Sequence, residues 1–302
     1  MKNILSALIL FLCTATTTAI HAQSTPGKAS TDKTIAAIDD ATDNTSKGSY
    51  FSIGINFLSN NVYLGRKDSV VIPYISPYIG YTFKMGIYFR ATMSYAASST
   101  DPHIDLTTLE GGYQHTFWDV LTVGGAFDKY FYSTTSKSVR ANIKSSLSAF
   151  ALFSNDYIEP QITFTANFLK NGKTDPLLTV GLDHVFFLAN DKLTIIPMIA
   201  LNAGTQNYYD QYLVDRTTPK GKAKPKRVLA SSSQFEVMDY EISTAIQYKT
   251  HDWVFLINPT LAIPENPSTL IRNNQPVVLE NLTNTFFIEV DISHRFYSKS
   301  KK

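Results

Sequence analysis

From Tyr50 onward the chain places apolar residues at every second position, and this two-residue period constrains its fold more than any other feature. Phe51, Ile53, Ile55 and Phe57 alternate with Ser52, Gly54 and Asn56. Near the end, Phe286, Ile288, Val290, Ile292 and Phe296 alternate with Glu289, Asp291, Ser293 and Arg295. Such alternation predicts β-strands with one apolar and one polar face. Similar segments lie at 71–83, 87–95, 109–117, 121–127, 139–153, 158–168, 178–186, 193–201, 238–248 and 253–263. Together they give about twelve strands, many of them near ten residues or longer, whereas soluble strands average about 5–6 and bilayer-crossing ones need about 9–11. The apolar faces must meet either a protein core or lipid.

The connections favour lipid. Every second one is tight: "KMG" near 85, "WD" at 118, "SND" at 154, "AND" at 189 and "THD" at 250. The others are mostly longer and more polar, among them "SNNVYLGRKDS", "STTSKS", a stretch from 205 to 234 and another from 264 to 284. Short turns at one end and long loops at the other are the pattern of bacterial transmembrane barrels, whereas a Greek-key sandwich has no reason to sort its loops. Aromatics flank the tight turns: Phe83, Phe89, Phe117, Trp118, Phe153, Tyr157, Phe186, Phe187, Tyr248 and Trp253, with Phe296 at the same level. They predict a girdle at the periplasmic interface, and Tyr63, Tyr95, Phe131, Phe168 and Tyr208 sit near the opposite ends. Charged residues make up 17% of the sequence, below the roughly 25% of soluble domains. After the N-terminus no uncharged apolar run is long enough for a membrane-spanning helix, so a membrane form must be a barrel. The fold predicted is all-β: a transmembrane antiparallel up-and-down β-barrel of about 12 strands, with the last strand closing on the first.

Residues 1–22 read as a secretory signal peptide, with Lys2, an apolar run from Ile4 to Leu12, and a cleavage site expected between Ala22 and Gln23. Cys13 follows the bulky Leu12, where lipoprotein processing wants a small residue. It is the single cysteine of the chain, so the exported protein has neither a disulfide framework nor a thiolate metal site. Residues 23–48 read as a flexible periplasmic leader, 49–297 as the barrel, and 298–302 as a basic tail.

The signal peptide, the alternating strands and the aromatic last strand "FFIEVDISHRF" resemble Gram-negative outer-membrane β-barrels. The resemblance implies residence in the outer membrane and recognition of that strand by the barrel-insertion machinery. The tail "YSKSKK" departs from the usual ending at the aromatic. "SNNVYLGRKDSVVIPYISPYIGY" is similar to the corresponding hairpin of MipA/OmpV-type barrels, and no site residue is carried over from it.

No catalytic constellation is legible. His115, His184 and His294 fall on lipid-facing positions without a serine two residues away on the same face, and Ser145 lies on a strand not adjacent to that of His115. Asp101, His103 and Asp105 share one polar loop that reads as solvated, with weak cation binding as the alternative. No metal, cofactor or nucleic-acid site is predicted. "KGKAKPKR", with Lys220, Lys222, Lys224, Lys226 and Arg227, reads as a solvated extracellular loop, or as a patch for anionic headgroups or a polyanion.

What remains is the lumen. The inward charged positions are Arg90, Glu110, Asp128, Arg140, Lys144, Glu159, Asp183, Asp239, Glu241, Glu289, Asp291 and Arg295. About twelve strands place the barrel between packed eight-stranded and open 16-stranded forms. Three functions are consistent with this: a narrow channel for small polar solutes, a closed-lumen scaffold binding a periplasmic cell-wall partner, and a lipid-modifying enzyme. The channel is the leading expectation. Acids outnumber bases inside, although the whole chain carries a formal +2, so a conducting lumen is expected to favour cations weakly.

Overall fold

In the computed structural model, residues 48–67, 71–97, 101–209, 212, 232–267, 269–272, 275–278 and 282–298 are described. The signal peptide, nearly all of the leader, the tail from 299 and the basic run at 220–227 lie outside them.

Twelve strands form the wall: β1 (Tyr50–Leu58), β2 (Tyr74–Thr82), β3 (Ile87–Ala96), β4 (His103–Phe117), β5 (Leu121–Tyr132) and β6 (Ile143–Phe153), then β7 (Glu159–Leu169), β8 (Thr174–Asp183), β9 (Leu193–Gly204), β10 (Glu236–Thr250), β11 (Trp253–Pro264) and β12 (Thr285–Tyr297). A short piece, Phe186–Leu188, continues β8 along β9. Each strand pairs antiparallel with its sequence neighbours, and β12 closes on β1 from Tyr50↔Tyr297 to Leu58↔Glu289. Closure removes every open edge, and with it the unpaired backbone groups that hydrocarbon would not tolerate. The strands run from 9 to 15 residues, long enough to cross a bilayer when tilted.

The two-residue period maps directly onto the wall. In β1 the exposed residues are Phe51, Ile53, Ile55 and Phe57, while Tyr50, Ser52, Asn56 and Leu58 are buried inside. β2 repeats this with Ile75, Ile79 and Tyr81 outside and Tyr74, Ser76 and Tyr78 inside. So many large apolar side chains on an outer surface are stable only against lipid. The girdle is present at the short-turn end: Phe83, Phe117, Trp118, Tyr157, Phe186, Tyr248, Trp253 and Phe296 are all exposed. The tight turns there use left-handed backbone at Asp119, Asn190 and Asp191, residue types that tolerate it.

Three register shifts interrupt the ladders, at Ser94/Tyr95, Ile143/Ser145 and Asn202/Ala203, all toward the long-loop end. A bulge transfers the next residue to the other face. The shift at the start of β6 corrects two expectations. Lys144, expected in the lumen, is exposed, and Val139 and Ile143, expected to face lipid, are fully buried inside. Ser145, also expected to face lipid, is buried. Two hairpins not anticipated from the sequence, Val62–Tyr63 with Arg66–Lys67 and Thr269–Arg272 with Gln275–Val278, lie within the long loops.

A closed wall with an apolar exterior predicts fractionation with outer membranes and a gel mobility that changes on boiling. Recovery as a soluble periplasmic protein would contradict the architecture.

Candidate functional site: a polar lumen and its plug

The lumen face carries an unusual density of acids for a protein interior. Glu110, Asp128, Asp183, Asp239, Glu241 and Glu289 are buried there, and Glu159 and Asp291 are half-buried on the same face. Of the expected bases, Arg90 and Arg295 lie on the lumen face, and Arg140 reaches it from the loop after β5. Asp175, which reads in the sequence as part of a loop, opens β8 on the same face and adds another acid.

Most of these carboxylates are held by neutral donors. Asn56 donates to Glu289 at 2.8 Å, and the Tyr78 hydroxyl donates to Asp291 at 3.0 Å across the intervening β1. The Tyr88 hydroxyl donates to Glu110 at 3.1 Å, and Ser146 donates to Asp128 at 3.0 Å. Asn202 donates to Asp239 at 2.9 Å. At the short-turn end, Glu159 and Asp183 stand directly opposite each other in register, and Gln161 donates to Asp183 at 3.4 Å. The strand-borne arginines sit over tyrosine rings, Arg90 at 4.0 Å from the Tyr78 centroid and Arg295 at 5.1 Å from that of Tyr50. Cation–π contact steadies each guanidinium against the wall. These hydrogen bonds orient the carboxylates along the lumen wall.

At the long-loop end, described loop side chains pack in among those of the wall. Tyr63 and Leu64 of the hairpin after β1, Val139 after β5, and Tyr208, Tyr209 and Tyr212 after β9 pack with Leu106, Ile143, Leu177 and Met238 of the wall. The hairpin turns at Leu64 and Gly65, whose φ values of 52° and 70° suit a two-residue turn. Gly65 is required twice over: a Cβ there would come within 2.6 Å of the Pro264 side chain and 2.8 Å of its backbone.

Arg66 ties the plug to the rim. Only 1% exposed, it donates to the carbonyls of Leu64 and Met238 (2.8 and 2.7 Å) and of Glu265 and Asn266 (2.9 and 2.8 Å). Arg140 stacks 4.6 Å from the Tyr63 ring, and Asn167 donates to the Tyr63 hydroxyl at 2.9 Å. Burial pushes the Tyr63 phenol up to about 12, so it stays neutral under physiological conditions. On the opposite side, both oxygens of Asp175 accept bonds that fix the 205–208 segment: from Thr205 at 2.6 Å, from the Asn207 backbone and side chain at 3.0 and 2.7 Å, and from the Tyr208 amide at 2.8 Å.

Several plug residues were invisible as such in the sequence. Tyr63 and Tyr208 read as rim aromatics, yet they are 2% and 0% exposed and contact each other edge-on at 5.2 Å. Arg66 lies in "SNNVYLGRKDS", which reads only as a longer polar connection. The available signal was "YLGR", a glycine inside an otherwise strand-forming run, which marks a turn or close backbone approach.

The other candidates are dispersed. His115, His184 and His294 each pack against the phenylalanine two residues on, at 4.6, 4.5 and 4.4 Å between ring centroids. Asp101, His103 and Asp105 do come together, but their groups are engaged by one another and by Tyr74, Ser136 and Lys137. Among the described residues no group of histidines, cysteines and carboxylates has the arrangement of a metal site.

No family model and no curated protein matches the chain, so the MipA/OmpV-type likeness of the first hairpin stands without a family match. Solved structures do resemble it. The KdgM porin does so at 11% identity and a TM-score of 0.48, over 81% of this chain and 99% of that one. The NanC porin does so at 11% identity and 0.43, over 81% and 98%. LpxR from Salmonella typhimurium does so at 10% identity and 0.41, over 80% and 99%. The assignment itself rests on the wall: a closed twelve-stranded antiparallel β-barrel of the outer-membrane class.

Proposed function

We propose that the barrel is a narrow channel for small polar solutes, weakly selective for cations and stopped at its long-loop end by the folded-in plug when at rest. The observation that carries this reading is the lumen lining. Acids line it from Asp175 and Asp239 near the plug to Glu159 and Asp183 at the periplasmic end. Fixed charge of one sign at a constriction sets ion preference more directly than net charge does. The exposure of Lys144 removes one of the expected inward bases and sharpens the imbalance. A lumen built to pass acidic solutes would need tracks of inward Arg and Lys instead.

The plug favours a second reading, a closed-lumen scaffold in the outer membrane that binds a periplasmic partner such as the cell wall. A lipid-modifying enzyme finds less support, because each lipid-facing histidine is packed against an aromatic ring. Single-channel recording from purified protein in a planar bilayer separates the first two. The channel reading expects discrete conductance steps. Silence in the native protein and in plug-weakened variants alike would leave the scaffold.

A further inference from the structure

A shallow trough of about 610 Å³ crosses the outer wall at the seam where the chain closes. It is built from register-paired rows. His294, Ile53, Ile79 and Ala91 are successive partners across β12, β1, β2 and β3, and they form one rail with Trp253 of β11. Ile292, Ile55 and Pro77, continued by Met93 and Thr107, form the other. Between the rails runs a floor made by the backbone of Gly54, Tyr78 and Thr92, the side chains of the last two turning into the lumen. The floor is thin at Gly54, where the space of a Cβ is already occupied from the lumen by the Tyr78 ring at 2.4 Å. Hydrogen-bond rows lie across strands that are themselves tilted, so the trough rises obliquely through the membrane. Its low end is at the girdle, where Trp253 and His294 meet edge-on at 4.8 Å. Its high end reaches Met93 and Thr107, toward the long-loop half of β3 and β4.

We propose that this trough is a binding site for one glycerophospholipid of the periplasmic leaflet. An acyl chain lies between the rails, and the phosphate headgroup meets the imidazole of His294 and the indole N–H of Trp253. The orientation follows from the chemistry of the two ends. The upper trough is lined by Ala91, Met93, Ile55 and Pro77 and offers nothing to a charged group, whereas its low end places two polar aromatic groups at the depth where headgroups lie. The rails are neutral and aliphatic, as an acyl chain requires, and burying each methylene against them strengthens binding. Small side chains at Ala91 and Thr107 keep the trough open where bulky ones would fill it. Because the site spans β11, β12 and β1–β4, a bound lipid would brace the closure between the last strand and the first.

Native mass spectrometry of the full-length protein, loaded in detergent micelles with 1-palmitoyl-2-oleoyl phosphatidylethanolamine, tests the proposal. The native protein should retain one lipid at collision energies that strip the rest. Ala91→Leu with Thr107→Leu fills the trough from the lipid side, where leucine is tolerated, and should lower retention by about tenfold or more. His294→Ala should also weaken retention, whereas His115→Ala, at the same depth on β4 but outside the trough, should not. Boiling-dependent gel mobility confirms that each variant is folded. The proposal is overturned if the native protein retains no lipid, if the filled variant retains as much as the native one, or if His115→Ala and His294→Ala behave alike.

Discussion

Replacing Val290 with Arg is expected to destabilise the inserted barrel by about 2–4 kcal/mol, the cost of a cation on the lipid face near the bilayer midplane. Val290 is mid-strand in β12 and stands opposite Phe57 of β1 and Ile257 of β11, both exposed to lipid. Replacing its neighbour Asp291 with Asn should cost far less. That side chain faces the lumen, and its bond from the Tyr78 hydroxyl survives when a carboxylate oxygen becomes an amide oxygen. Urea titration of the two variants folded into lipid vesicles measures the contrast. Equal tolerance at the two sites would mean that the faces of β12 are assigned the wrong way round.

A second large effect is expected at Arg66. Truncation to Ala removes the donors that four backbone carbonyls share. The Met238 carbonyl keeps the Glu265 amide and those of Glu265 and Asn266 lie at exposed residues, so the loss is on the order of one buried group, about 1–3 kcal/mol. The wall strand that carries Met238 keeps its own ladders on both sides, so the loss falls mainly on the plug. A destabilisation of roughly 1–3 kcal/mol would raise the population with the plug displaced by on the order of ten- to a hundredfold. Open probability in single-channel records should rise accordingly, while boiling-dependent mobility stays unchanged. Gly65→Val should act in the same direction, because any Cβ at this left-handed position collides with the backbone of Pro264. If both variants conduct no more than the native protein, the plug does not gate the lumen.

The wall and its two faces were legible in the sequence because a barrel in lipid imposes one rule on every strand. Each second residue must be apolar, and a slip by one position would expose the whole polar set to hydrocarbon. This is why Ile53, Ile79 and Val290 could be placed by counting alone. The plug was not legible, because loops outside the bilayer have no such rule. Tyr63 and Arg66 sit three residues apart in a polar stretch, and only tertiary contact makes one a core residue and the other a buried donor. Lys144 failed for a related reason. From Ser146 onward its strand alternates as expected, but just before it, between Ile143 and Ser145, a bulge inserts a residue that periodicity cannot detect. The bulge sits where the wall meets the plug, so Val139 and Ile143 turned inward together. Asp175 lay hidden in an apparent loop because β8 begins right after the turn at Gly172, earlier than its apolar alternation suggests.

The central claim is that an acid-lined lumen conducts, and reversal potential under a KCl gradient tests it most directly. The purified protein, or its Arg66→Ala variant if the plug holds the native form shut, is placed in a planar bilayer with unequal KCl on the two sides. The acid-rich lining predicts a reversal potential of the sign for cation preference. It should be modest, because the three arginines Arg90, Arg140 and Arg295 temper the field, and it should shrink as salt is raised and screening shortens. Clear anion selectivity, or no conductance in either protein, would contradict the account.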